Sequence, residues 1–114
     1  MIRGTTPDYI LTLSGVDLSD KTVYVTISQG AAKKITKTGD DLHIAVHQED
    51  SKDVTEIAFF LTQEDTLGLS VGSASVQVRY IDENGKADAT DIAALTVDKV
   101  LLERVIEYVA DDPA

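Results

Sequence analysis

Hydrophobic and polar residues alternate with a period of two along most of the chain, the pattern of a strand that buries one face. The run at 22–28 is the clearest, because Val23, Val25 and Ile27 share one face while polar, aromatic or small residues lie between them. Comparable runs, each bounded by turn residues, predict further strands at 9–14, 32–38, 42–47, 56–61, 75–81 and about 87–97. Short strands at this spacing favour a mainly β fold, an antiparallel β-sandwich of six to seven strands, with residues 1–114 forming a single domain.

Two of the predicted strands have features that place them in the sandwich. The strand at 56–61 contains both phenylalanines of the chain and is therefore expected near the centre of the core. The strand at 32–38 carries Lys33, Lys34 and Lys37. Lysines protect an edge strand from pairing with other chains, so we expect this strand at a sheet edge. A binding site for an acidic partner is the alternative interpretation of the three lysines.

Turn and cap residues define the connections between the strands. The Thr62 hydroxyl can accept a hydrogen bond from the backbone N–H near Asp65, which predicts a short helix of one or two turns. The pair Asn84-Gly85 predicts a hairpin with a type I′ turn, because both residues tolerate positive φ. The polar stretch 48–53 has no hydrophobic member and predicts a solvent-exposed loop.

The segment 97–109 departs from the period of two. Its hydrophobic residues are spaced by three, four and one, which indicates an amphipathic helix with charged residues on the polar side. Two interpretations of this C-terminal helical segment are open: it packs on the end of the sandwich, or part of its apolar face docks a neighbouring subunit. The candidate interface residues are Leu101, Leu102, Val105, Ile106 and Val109.

Charge and composition exclude several classes of function. Twenty acidic residues against ten basic ones give a formal net charge of −10, which disfavours binding to nucleic acid and to anionic membrane surfaces. The chain contains no cysteine, so it has no disulfide, thiolate metal site or cysteine nucleophile. It also lacks the apolar stretches of a signal peptide or a membrane span, and we expect neither.

The residue types that carry catalysis or bind metals do not form a recognisable motif. His43 and His47 are the chain's two histidines, and on a strand their side chains stand about 13 Å apart, too far to share a metal ion. No Gly-x-Ser-x-Gly elbow and no phosphate-binding glycine motif occurs. The acidic residues at 40–41 and 49–53 could hold a calcium ion weakly, although charged loops are usually only solvated. We therefore expect no enzyme activity, no metal and no cofactor.

Five short strings are distributed along the chain: Met-Ile-Arg-Gly-Thr-Thr-Pro at 1–7, Tyr-Val-Thr at 24–26, Leu-Thr-Gln-Glu-Asp-Thr-Leu at 61–67, Val-Gln-Val-Arg at 76–79 and Val-Asp-Lys-Val-Leu at 97–101. Together, over most of the chain, they resemble a family of small phage and prophage virion-associated proteins. These proteins are similar to the N-terminal β-sandwich domain of upper baseplate proteins from phages of Gram-positive hosts. The resemblance implies a structural role in the tail or baseplate and carries over no functional residues. The acidic stretch 48–53 departs from the family's pattern.

Two classes of function follow from these expectations. The first is a non-enzymatic virion structural protein that assembles with itself or with another tail or baseplate protein, most simply in a cyclic arrangement. It would be found in the virion and, during assembly, in the host cytoplasm. The alternative is an adhesion or carbohydrate-binding β-sandwich that recognises a host surface. The chain has four tyrosines, two phenylalanines and no tryptophan for stacking on sugars, and replacing Tyr24 or Tyr80 would test this alternative.

Overall fold

The computed structural model describes residues 1–109, which form two antiparallel sheets packed face to face. The strands are β1 (Asp8–Ser14), β2 (Thr22–Gln29), β3 (Lys33–Thr38), β4 (His43–Glu49), β5 (Lys52–Phe60), β6 (Gly72–Ile81), β7 (Ala87–Ala89) and β8 (Ala93–Val97). A 3-10 turn, Gly39–Asp41, precedes β4, and the helix α1 spans Gln63–Leu67. One sheet has the order β1-β5-β4, and the other has the order β3-β2-β6 with both β7 and β8 on the far edge of β6. The predicted mainly β antiparallel sandwich is confirmed.

The core lies between the two sheets because the alternation turns one face of each strand inwards. Val25 and Ile27 of β2 are buried in one cluster with Ile57 and Phe59 of β5. Each such side chain contributes about 1.5–3 kcal/mol when it is fully buried. The strand β5 is a core strand as predicted, but Phe60 lies on its outer face and is 54% exposed.

The sandwich is open along the side where β1 and β8 approach each other. A cleft of about 190 Å³ between them is lined almost entirely by apolar side chains from both sheets. Tyr9 and Phe59 form a tilted aromatic pair in its wall, with ring centroids 5.6 Å apart. Partial burial raises the pKa of the Tyr9 hydroxyl. Within residues 1–109, β1 and β8 each pair with a strand on one side alone.

The acidic stretch 48–53 is a hairpin end, and the loop prediction for it is wrong. The strands β4 and β5 continue through it, with Glu49 paired to Lys52 and two residues, Asp50 and Ser51, in the turn. Their φ angles are 49° and 66°, as a two-residue type I′ turn requires. The stretch needs no hydrophobic residue, because cross-strand backbone hydrogen bonds rather than burial keep it extended.

The hairpin predicted at Asn84-Gly85 forms, but its turn is of a different type. Gly85 has a positive φ of 82°, whereas Asn84 does not have a positive φ. The Gly85 N–H donates to the Asp82 carbonyl, and the Asp82 carboxylate accepts from the N–H groups of Asn84 and Lys86. These side-chain hydrogen bonds favour a connection longer than the predicted two-residue turn. In it, a turn is followed by one glycine in the left-handed backbone conformation.

The strand predicted at 87–97 is divided into β7 and β8 by a bulge. Residues 90–92 lie opposite two residues of β6, Gln77 and Val78. The Thr90 N–H donates to the Val78 carbonyl, and the Thr90 hydroxyl accepts from the Val78 N–H. The extra residue bends the edge of the sheet and leaves Ile92 on the outer side, 66% exposed.

The helical turn predicted after Thr62 is confirmed as α1. The Thr62 hydroxyl accepts from the Asp65 N–H at 3.1 Å, and the Asp65 carboxylate accepts from the Thr62 N–H at 2.9 Å, a reciprocal capping box. The Lys37 Nζ of β3 donates to the same carboxylate at 2.7 Å. Partial burial acts to raise the pKa of Asp65, but the hydrogen bonds from Lys37 and Thr62 outweigh it and the pKa lies below its ordinary value.

The N-terminal residues run beside the end of β8. The Arg3 N–H donates to the Asp98 carbonyl at 3.0 Å, and the Asp98 N–H donates to the Met1 carbonyl at 2.6 Å. The Arg3 guanidinium donates to the carbonyls of Leu67 and Leu69 at 2.8 and 2.6 Å. Because carbonyls at a helix end lack helical partners, Arg3 both caps α1 and fixes the N-terminal segment.

The C-terminal helix predicted at 97–109 does not form. Val97 belongs to β8, and 98–109 contain no helix or named strand. Several of the apolar residues here are β-branched, which lowers helix propensity, and an isolated helix of about 12 residues is marginal in water. The core closes without this segment, so no packing energy is available to stabilise a helix.

Candidate interaction surfaces

All five candidate interface residues are exposed in the irregular segment that follows β8. Their exposed fractions are 95% for Leu101, 51% for Leu102, 43% for Val105, 55% for Ile106 and 81% for Val109. The structure therefore places them along one irregular stretch of chain and not on one face of a helix. Large apolar side chains grouped in solvent are typical of an interaction site, so this exposed tail, residues 101–109, is a candidate interface.

Two polar contacts hold the exposed tail to the sandwich. The Gln63 side-chain amide pairs with the backbone of Ile106, its Nε2 donating to the carbonyl at 2.9 Å and its Oε1 accepting from the N–H at 2.7 Å. The Arg3 Nη1 donates to the Glu103 carboxylate at 2.8 Å. Exposed polar contacts contribute little net free energy, so the exposed tail is positioned without being buried.

A polar surface covers the outside of the five-stranded sheet. It consists of the even-numbered residues of β2, β3 and β8 and the odd-numbered residues of β6 and β7, which the strand register places side by side. Most of these residues are threonine, serine or alanine, and none is aspartate or glutamate. We call this surface the hydroxyl face. The Thr26 and Thr36 hydroxyls are hydrogen-bonded across it at 3.1 Å.

One end of the hydroxyl face contains an open depression of about 360 Å³. It brings together Tyr24, Tyr80 and Arg79, the first of which is 40% exposed. Within residues 1–109, Arg79 forms no salt bridge. Of the two tyrosines singled out by the carbohydrate alternative, Tyr24 lies on this face beside the Arg79 guanidinium, whereas Tyr80 occupies an inward-facing position of β6 and packs against the core.

The alternation along β3 separates the three lysines. Lys37 binds Asp65, and the Lys33 Nζ donates to the Ser70 hydroxyl at 2.6 Å. Lys34 points the other way and lies on the hydroxyl face. The predicted edge position of the strand is confirmed, and two of its lysines also attach it to neighbouring elements.

The outer surface of the three-stranded sheet has the opposite charge. It consists of the even-numbered residues of β1 and β5 and the odd-numbered residues of β4. We call it the acidic face, because it carries the carboxylates of Asp8, Glu49 and Glu56 and a single formal cation, Lys52. Ile10 and Phe60 are its large exposed apolar side chains.

Both histidines lie on the acidic face, on strand β4 as predicted. The His47 Nε2 is 3.1 Å from the Glu49 carboxylate. Within residues 1–109, no three histidine, aspartate or glutamate side chains are grouped so that they could hold a metal ion. In the same part of the chain, no helix has the length and apolar character needed to cross a membrane.

The hydroxyl face and the acidic face are the features that sequence reasoning missed. Their signal is in the polar half of the alternation. The even-numbered residues of 22–28 and 34–38 contain no carboxylate although the chain has twenty. Without the strand order, nothing in the sequence shows that these residues and those of 73–81 share one surface.

No protein-family model and no curated protein matches the chain. Among solved structures, it is similar to AggA, the major subunit of aggregative adherence fimbriae type I from Escherichia coli, with a TM-score of 0.40 and 9% identity over 85% of this chain and 84% of that chain. A TM-score below 0.5 is too low to support an inference about this chain.

Proposed function

We propose that this chain is a non-enzymatic structural protein of a phage virion, in the tail or baseplate, which acts through protein–protein contacts. The observation that carries the proposal is the exposed tail, in which six large apolar side chains are in contact with solvent rather than with the core. Placement in a virion depends on the resemblance of the five sequence strings to virion-associated proteins.

The contacts of the exposed tail suit an interface that forms after folding. The segment is held beside α1 by the pair between Gln63 and Ile106, so its position is set before a partner arrives. A segment that is already positioned loses less conformational entropy on binding. Burying its apolar side chains would then stabilise the complex without disturbing the sandwich.

Substitution within the exposed tail tests the role in assembly. We expect Leu101→Glu to reduce incorporation of the protein into particles and to leave its thermal unfolding unchanged, because Leu101 is 95% exposed. The matched control is Lys99→Glu, which also introduces a glutamate nearby but removes no apolar group. Equal incorporation of the two variants would contradict the proposed interface.

Detection of the protein in purified particles tests the placement in a virion. We expect mass spectrometry of gradient-purified phage particles to find peptides of this chain at constant ratio to other tail proteins. Peptides confined to the soluble cell fraction, and absent from the particles, would refute a virion role even if the exposed tail binds another protein.

The depression on the hydroxyl face favours host-surface carbohydrate recognition as a second candidate function. Tyr24 could supply aromatic surface and Arg79 hydrogen-bond donors to a sugar. A glycan array tests this candidate: Tyr24→Ala should abolish a signal, whereas Tyr108→Ala, a change at a 93% exposed tyrosine outside the depression, should retain it. No binding of the unmodified protein to the array would exclude the candidate for the glycans displayed.

A further inference from the structure

The two outer faces of the sandwich carry opposite charge. The hydroxyl face has two formal charges, Lys34 and Arg79, both positive. The acidic face has Asp8, Glu49 and Glu56 against Lys52. With neutral histidines, the faces therefore carry about +2 and −2 in a chain whose total charge is −10.

The positive character of the hydroxyl face is not neutralised within the protein. Neither Lys34 nor Arg79 forms a salt bridge within residues 1–109. Of the carboxylates that flank the face in sequence, Asp40 and Asp82 follow β3 and β6 in the connecting segments, and Asp88 of β7 occupies the alternate position, opposite Tyr80. A cationic surface with no acidic residue, on a strongly acidic protein, is complementary to an acidic protein surface.

We propose that the hydroxyl face of one copy of this chain docks on the acidic face of a second copy. The charges match in sign, and each face presents exposed apolar side chains, Ile92 beside the hydroxyl face and Ile10 and Phe60 on the acidic face. The threonine, serine and alanine side chains of the hydroxyl face are short, so they allow close approach of a second sheet.

The arrangement of the faces determines the symmetry of this assembly. Pairing of the hydroxyl face with another hydroxyl face would bring like charges together, so a two-fold dimer through it is disfavoured. The two faces lie on opposite sides of one sandwich, and each copy can therefore bind a neighbour on both sides. Such a head-to-tail contact builds a ring or an open filament, depending on the rotation between copies. This contact between the hydroxyl face and the acidic face involves neither the exposed tail nor binding of a carbohydrate.

Charge reversal on either face tests the proposal. The native mass of the purified protein, measured by light scattering over a concentration series, is expected to rise with concentration. Lys34→Glu with Arg79→Glu should weaken this association roughly a hundredfold or more, because like charges then face each other. Asp8→Lys with Glu56→Lys should do the same. A chain with all four substitutions should associate again, since its faces are complementary with exchanged signs.

A control separates this contact from an effect of total charge. Lys86→Glu with Lys99→Glu changes the net charge by the same amount as Lys34→Glu with Arg79→Glu, but at exposed positions outside both faces. This control should leave association unchanged. Equal loss in the control, no recovery in the fourfold variant, or a strictly monomeric unmodified protein would each overturn the proposal. None of these outcomes bears on Leu101, so a failure here is distinguishable from a failure of the proposed virion role.

Oxidative cross-linking provides a second readout, because the chain contains no cysteine of its own. Thr26→Cys places a thiol on the hydroxyl face and Ala58→Cys places one on the acidic face. The double variant is expected to give a ladder of covalent oligomers, whereas each single variant gives none beyond background. Efficient dimers from Thr26→Cys alone would show pairing of two hydroxyl faces and would overturn the head-to-tail contact.

Discussion

At the scale of single residues, Asp65 joins two elements of the molecule. Its carboxylate caps α1 through the Thr62 N–H and accepts a hydrogen bond from Lys37 of the edge strand β3. About a fifth of the Asp65 side chain is exposed, so the ion pair is better shielded from solvent than a pair at the open surface. The sequence predicts the cap from Thr62 and Asp65, but the contact with Lys37 requires the position of β3.

The Asp65 carboxylate is expected to make stability depend on pH. Because the pKa of Asp65 in the folded protein lies below its ordinary value, its contribution is present above the ordinary pKa and is lost as pH falls through the folded pKa. Asp65→Asn should lower the free energy of unfolding by about 1 kcal/mol at neutral pH. Urea denaturation should show this difference shrinking on acidification below about pH 4. Glu64→Gln, at an exposed position in the same helix, should lack both effects.

Val25 tests the register of β2. Its side chain is fully buried in the core, so Val25→Asp should prevent folding, because it buries a charge without a partner. Thr22→Asp is the matched control, since Thr22 is exposed on the same strand. Circular dichroism should detect a folded control and an unfolded Val25 variant. A soluble Val25 variant with unchanged melting temperature would contradict the register.

At the scale of elements, strands were predictable wherever one face is buried. The alternation in β2, β5 and β6 follows directly from the core, so the sequence alone places them. The end of the β4–β5 hairpin and the exposed tail were predicted wrongly because neither packs against the core. At 48–53, pairing of the backbone determines the structure. In the exposed tail, the spacing of the apolar residues suits a helix, but the sandwich offers no surface for such a helix to pack on.

The β4–β5 turn provides a prediction about an element. Ser51 adopts a φ of 66°, a left-handed conformation that costs a non-glycine residue roughly 1–2 kcal/mol. Ser51→Gly should therefore raise the free energy of unfolding by about 0.5–1 kcal/mol, after the larger entropy loss of glycine on folding is subtracted. Ser73→Gly, within β6, should instead lower it. Thermal denaturation of both variants measures whether each substitution stabilises or destabilises the protein. Destabilisation by Ser51→Gly would contradict the turn geometry.

At the scale of the whole molecule, the candidate surfaces differ in physical character. The exposed tail is apolar, whereas the hydroxyl face and the acidic face differ from each other in charge. The sequence identified the residues of the first surface, because their apolar pattern is continuous along the chain. It could not identify the other two, because each is assembled from strands that are distant in sequence and adjacent only in the folded sheets.

Ionic strength should distinguish the two kinds of contact. Raising salt from 0.1 to 1 M shortens the screening length from about 10 Å to about 3 Å, so association through the charged faces should weaken. A contact made by the apolar tail should persist. Sedimentation of the unmodified protein and of Leu101→Glu at both salt concentrations measures this difference, and salt-independent association of both proteins would contradict a contact between charged faces.

The pairing of Arg3 with Asp98 has a consequence for how the chain folds. Nearly the whole described chain separates these two residues, so their contact closes a very long loop, with a correspondingly high entropic cost. Proteins rich in such distant contacts fold slowly, in milliseconds to seconds. During synthesis, Arg3 can reach the carbonyls of Leu67 and Leu69 early, but its pairing with Asp98 must wait until residue 98 has been made. The contact between the N-terminal segment and the end of β8 is therefore expected to form late.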